Sequence, residues 1–254
     1  MTLTRRLVVC LDVKDGRVVK GTRFMNLRDV GDPAALAARY EAEGADEIVF
    51  LDISASPEGR DILLGVVERT AERLFIPLTV GGGIRTVADV ARALRAGADK
   101  VAINSAAVDR PALLSEAALV FGSQCVVSSI DAKCSGRMWR VFTHGGRVAT
   151  DLDAIHWARA SASHGAGEIL LTSVDRDGSR DGYDIELTRS VADAVDVPVI
   201  ASGGAGSARD VVAAMESGRA DAALVAGIVH DGSVTIAEMK ACMRAASLPV
   251  RNAA

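Results

Sequence analysis

The feature that most limits the fold is an internal repeat carried by glycines. Gly44 and Gly165 stand 121 positions apart, as do Gly97 and Gly218, and as do Gly83 and Gly204 in the turns VGGGI and SGGAG. Successive helix-stop glycines are separated by 53, 68 and 53 residues, and the long middle interval contains an insertion, residues 133–147, that reads as a hairpin. A chain that repeats at this interval is assembled from two similar halves, each made of the same supersecondary units.

The units alternate strand and helix. Asp32-Pro33 supplies an N-cap and a first-turn proline for a helix reaching about residue 43, Gly44 stops it, and the apolar run EIVFLD at 47–52 follows as a strand. Further helices are predicted at 61–74, 86–96, 111–121, 152–164, 185–193, 208–217 and 236–244. Between them lie strands at 77–80, 100–103, 125–131, 168–172, 199–201 and 222–226; with the run from Leu7 this makes eight strands and eight helices. Units of this kind close into a right-handed ring, so the expected class is α/β, a (β/α)8 barrel forming one domain over 1–254, with half-barrels of about 1–122 and 123–254. A doubly wound open sheet is the alternative arrangement of the same units.

The composition agrees: 49% apolar but 4% aromatic, so the core must be Ala, Val, Leu and Ile, as parallel strands under helices require. At 254 residues such a chain buries about three quarters of its unfolded surface. Few aromatics and a net charge of −4 without blocks of like charge argue against nucleic acid and membrane partners. The apolar run ahead of Asp12 is only five residues and no stretch approaches a membrane span, which points to a cytoplasmic protein. Cys10, Cys125, Cys134 and Cys242 lack CxxC or metal-ligand spacing and are expected as buried, reduced thiols; no cofactor and no metal is expected.

In LVVCLDVKDGRVVKG, Val8, Cys10 and Asp12 share one face at period two. Val127, Ser129 and Asp131 do the same in VVSSIDAKCSGR, placing a second acid 119 positions after the first. Loops after strands form the active face of a barrel, so the two acids oppose each other at its mouth and can divide general acid and base work. The structural alternative is helix capping or pairing with Lys14 or Lys133.

Small-residue turns at Gly81-Gly82-Gly83, Asn104-Ser105, Asp177-Gly178 with Gly203-Gly204, and Ala226-Gly227 expose backbone N–H groups of the kind that hold phosphate. Their recurrence in opposite halves predicts two facing phosphate sites and a substrate with a phosphate at each end. Residues 13–31 form a nineteen-residue stretch with Lys14, Arg17, Lys20, Arg23 and Arg28, expected as a mobile lid whose Lys20 reaches an anionic substrate. At the other end of the barrel the strands starting with Arg6, Glu47, Lys100 and Glu168 predict a ring of salt bridges, read from the residues as a structural plug.

The segments CLDVKDGRVVKGTRFMNLRDVGDP, FLDISAS, TVGGGIR, ADKVAINSAAV, GAGEILLTSVDRDGSRDGYD and ASGGAG closely resemble the cyclase subunit of imidazole glycerol phosphate synthase, over nearly the whole chain. The resemblance implies a lyase of histidine biosynthesis that forms a heterodimer with a glutamine amidotransferase subunit. With ammonia from that subunit it converts N'-(5'-phosphoribulosyl)formimino-aminoimidazole carboxamide ribotide, a bisphosphate, into imidazole glycerol phosphate and aminoimidazole carboxamide ribotide. It further implies Asp12 and Asp131 as the acid–base pair and Lys20 as the loop lysine. One phosphate site falls on Gly83, Asn104 and Ser105, the other on Asp177, Gly178, Gly204, Ala226 and Gly227. Arg6, Glu47, Lys100 and Glu168 become an ammonia gate, with Asp99 and Gln124 beside the partner. Gly227 stands where relatives are expected to carry Ser, and Asp151 where Gly is common. The related isomerase of the same pathway and a non-catalytic regulatory barrel are the alternatives; KDGRVVKG and DRDGSRDGYD favour the cyclase.

Overall fold

The computed structural model describes residues 3–22, 25–58 and 61–251. Its strands are β1 (Arg6–Lys14), β2 (Arg17–Thr22), β3 (Met25–Gly31), β4 (Glu47–Asp52), β5 (Leu78–Gly81), β6 (Lys100–Ile103), β7 (Val126–Ser135), β8 (Met138–Thr143), β9 (Val148–Asp153), β10 (Glu168–Ser173), β11 (Val199–Ser202) and β12 (Ala222–Val225). Eight of them pair in parallel in the order β1-β4-β5-β6-β7-β10-β11-β12, and β12 pairs back with β1 to close the ring. This is the expected (β/α)8 barrel.

Alternation along the strands divides the core in two. Val8 and Cys10 point into the ring with Val49, Ala102, Val127, Leu170, Ile200, Ala222 and Leu224, while Leu7, Val9 and Leu11 pack outward against the helices. The interior set is small and aliphatic, which lets it fill the ring without an aromatic.

The repeat reaches the helix caps. Thr86 and Asp89 form a capping box at the helix Val87–Arg95, and Ser207 and Asp210 form the same box at the helix Ala208–Glu216. Each such cap contributes about 1 kcal/mol by satisfying N–H groups that the first turn leaves orphaned. At the C-terminal ends Gly44, Gly97 and Gly165 take left-handed φ values of 100°, 99° and 95°, but at the fourth position Arg219, not Gly218, takes the left-handed turn with φ 60°. Helix ends otherwise lie within a few residues of the expectation: 61–74 narrows to Leu64–Ala71, and 152–164 begins at Ala154 because Asp153 caps it.

Three expectations need correction. Residues 13–31 are not a structureless lid: among the described residues β2 and β3 form an antiparallel hairpin continued from β1. Val18 and Val19 anchor it, both buried although adjacent, because the register of the β2–β3 pairing shifts between them, and the alternation of a regular strand is lost there. Arg23 lies outside the described residues. Second, the insertion after β7 is larger than 133–147, since β9 extends the excursion to Asp153 and places Asp151 on an exposed strand position. Third, all four cysteines are free, but only Cys10 is buried; Cys134 is exposed because β7 runs past the barrel into this hairpin.

Candidate active site

The C-terminal ends of the barrel strands surround one cavity of about 730 Å³. Asp12 and Asp131 both line it, from β1 and β7, four strands apart in a ring of eight and therefore across it. Neither carboxylate has a cation among the described residues. Asp12 accepts a long hydrogen bond from the Cys10 thiol, Sγ to Oδ1 3.4 Å, and Asp131 accepts one from Asn104 Nδ2 at 3.0 Å. The alternative of pairing with Lys14 or Lys133 is absent there.

Burial pushes both acids up to about 7, and the charge of Asp177 pushes in the same direction; the thiol and the amide pull back weakly. Near neutral pH each group therefore populates both forms, the condition under which one carboxyl donates a proton while the other accepts. The Asn104 carbonyl oxygen Oδ1 is buried without a partner among the described residues, beside Asp131 on the cavity wall. Such an atom is costly to leave unmade and is placed to accept from a bound molecule.

The glycine turns stand at opposite sides of the same cavity. Gly82 and Gly83 follow β5, and Asn104 and Ser105 follow β6; Gly203 and Gly204 follow β11, four strands on, with Asp177-Gly178 after β10 and Ala226-Gly227 after β12. Close packing demands glycine here: a Cβ on Gly82 would lie 2.2 Å from the Asp52 carbonyl oxygen, and one on Gly204 would lie 2.2 Å from that of Gly182. Ser105 Oγ accepts from the His144 N–H at 2.9 Å, tying the β8–β9 turn over the first group.

Lys20, from β2, also lines the cavity, at the second group of turns. Its ammonium donates to the Gly227 carbonyl at 2.9 Å and pairs with Asp231 at 2.6 Å. The sequence reading missed Asp231, Arg180, His230 and Arg147, all on the wall. His230 shares a 2.7 Å hydrogen bond with the Tyr40 hydroxyl, and burial lowers its imidazole to about 4, so it is neutral at pH 7. These four residues come from the β8–β9 turn and the segments after β10 and β12, and share no spacing that could have betrayed them.

The opposite end of the ring holds the four strand-start charges. Arg6 pairs with Glu47 at 2.8 Å and with Glu168; Lys100 pairs with Glu47 at 2.6 Å and with Glu168 at 2.7 Å. Asp99 is exposed and accepts from the Leu78 N–H at 2.8 Å, and exposed Gln124 donates to the Phe121 carbonyl at 3.3 Å.

The histidine biosynthesis protein family matches residues 6–235. The chain belongs to that family. It is 69% identical over 250 residues to the imidazole glycerol phosphate synthase subunit HisF of Myxococcus xanthus strain DK1622, covering 98% of this chain and 99% of that protein. The sequence resemblance thus stands on nearly the full length. Among the described residues no helix is long and apolar enough to cross a membrane.

Proposed function

We propose that this chain is the cyclase subunit of imidazole glycerol phosphate synthase, acting on N'-(5'-phosphoribulosyl)formimino-aminoimidazole carboxamide ribotide with ammonia. The observation that carries the reading is one cavity in which two opposed, unpaired carboxylates lie between two facing groups of glycine turns. The turns hold the two phosphates by backbone N–H groups and stretch the substrate across the ring, so its reacting centre lies between Asp12 and Asp131. Condensation of ammonia with a carbonyl needs a proton taken from nitrogen and a proton given to departing oxygen. Release of the aminoimidazole needs a second proton donation. Two carboxyls poised near neutrality serve these transfers in turn.

The partner is a glutamine amidotransferase subunit docking on the far face, where Phe75, Leu119 and Leu3 are almost fully exposed. Asp99 and Gln124 contact it there, and the ring of Arg6, Glu47, Lys100 and Glu168 admits ammonia while resisting bulk water. The test is incubation of the purified protein with the bisphosphate and an ammonium salt. Both products are expected; turnover of the isomerase's substrate instead would overturn the reading.

A further inference from the structure

The second anion site already contains an anion. Asp231 lies on the cavity wall four residues beyond Gly227, and one of its oxygens, Oδ2, receives both Lys20 Nζ and Arg180 Nη2. Its other oxygen accepts from the Ser233 N–H at 3.1 Å, which aims the carboxylate. Burial works against the charged form, yet Lys20, Ser233 and Arg180 all favour it and hold the Asp231 pKa well below the usual carboxylate range.

The cations come from different parts of the chain, so the arrangement is not a local turn. Lys20 belongs to the β2–β3 hairpin, and its tip rests where residue 227 has no side chain: a Cβ there would lie 3.3 Å from Lys20 Cε. Arg180 belongs to the loop after β10 and is held by backbone packing. It takes a left-handed φ of 63°, its carbonyl oxygen would lie 2.1 Å from a Cβ on Gly206, and Gly182 N–H donates to the Gly204 carbonyl at 2.9 Å. A guanidinium and an ammonium thus converge beside the Gly204 and Gly227 turns, and a carboxylate occupies the position between them.

We propose that Arg180 is a ligand of the substrate's phosphate at this end, and that Asp231 is the internal anion that holds Arg180 and the hairpin's Lys20 until that phosphate takes its place. The inference rests on the bisphosphate reading of the cavity. It makes the hairpin latched in the empty protein and couples release of the latch to arrival of a phosphate, because a dianion outcompetes a single carboxylate for two cations. Asp231 also rejects uncharged substrate ends, which cannot displace it.

The test compares three variants by hydrogen exchange in the β2–β3 hairpin and by substrate KM. In the substrate-free protein, Asp231→Asn speeds hairpin exchange about fivefold, the scale of a lost, partly exposed ion pair, and Gly227→Ser speeds it less, since a Cβ 3.3 Å from Lys20 Cε only nudges the lysine tip. At saturating substrate the exchange of Asp231→Asn and wild type coincides. The KM effects have opposite signs: Arg180→Ala raises KM by about tenfold, the value of a charge-assisted contact, while Asp231→Asn lowers it by roughly twofold to fivefold because no internal competitor remains. Unchanged hairpin exchange in Asp231→Asn, or a rise in KM in both variants, overturns the proposal and leaves Asp231 as a prop of its loop. The exchange of the empty protein needs no substrate, so the latch is decided even if wild type turns over no bisphosphate, the result that would instead remove the proposed function.

Discussion

At the floor of the barrel Glu47 and Glu168 are each held by two cations, whereas at the mouth Asp12 and Asp131 have a thiol and an amide. Both sets are carboxylates on inward-facing strand positions, the floor pair buried and the mouth pair partly open to the cavity, and they differ in what surrounds them. Glu47 also receives the Thr79 hydroxyl at 2.6 Å, and the pairing holds the Arg6 guanidinium above its ordinary value although burial works against it. The mouth acids are lifted to about 7 by the same burial without that compensation. The floor carboxylates are therefore tied into a network of ion pairs while the mouth acids stand poised near neutrality, the contrast expected between an ion-pair network and a proton-transfer site.

The sharpest break of this comparison removes a mouth acid. Asp12→Asn and Asp131→Asn are each expected to lower kcat of the ammonium-dependent reaction by about 10² to 10⁴, the range of general acid–base catalysis. Steady-state rates decide it, and wild-type-like turnover in either variant removes that residue from the chemistry.

Breaking the floor has a different signature. Arg6→Ala or Lys100→Ala leaves two buried glutamates, Glu47 and Glu168, sharing one cation, which costs about 3–5 kcal/mol of stability. Denaturant unfolding measures this. As a gate, the same variants lose glutamine-driven turnover with the partner subunit while turnover at saturating free ammonium changes much less; equal losses from both sources return the ring to the role of plug.

The two ends also differed in how far the sequence disclosed them. Asp12 and Asp131 were legible because a barrel strand has period two and each acid ends an apolar face, and the four floor charges because each opens a strand. The ring itself was legible through glycines at a common interval, and the structure extends that repeat to the capping residues Thr86 and Ser207. The β2–β3 hairpin was not, since Val18 and Val19 are buried side by side across a register shift and the alternation disappears. Asp231, Arg180 and His230 were equally silent: the segments after β10 and β12 bring them together, and only closure of the ring sets their distance.

A third test sharpens the contrast through pH. The folded-state values of Asp12 and Asp131 lie near 7 against an ordinary 3.8, so the native state binds protons more tightly than the unfolded chain between those limits. Each acid then costs stability as pH rises from about 4 to about 7, and the cost is level above that. Asn cannot ionise, so Asp131→Asn should exceed wild type in stability by roughly 1–4 kcal/mol at pH 8, with a smaller gain at pH 4. Urea midpoints at the two pH values check this; a gain independent of pH assigns the effect to packing.

The smallest expected effect comes from trimming the floor without unpairing it. Thr79 is fully buried and its hydroxyl donates to Glu47 Oε1, the same oxygen that receives Lys100. Thr79→Val keeps the shape of the side chain and deletes the donor, while Glu47 retains both of its cations. The cost of losing a hydrogen bond to a charged group is about 1.5–3 kcal/mol, and the surviving partners place this one at the low end. Melting temperature should therefore fall slightly and kcat with free ammonium should stay at wild-type level, since the mouth acids do not depend on Thr79. At the mouth the matching deletion, Asn104→Leu, removes the side-chain amide that donates to Asp131, and there the loss should appear in kcat more than in stability. If Thr79→Val costs as much as Arg6→Ala, the floor is a cooperative network that fails as a unit, and its charges cannot be treated as independently paired.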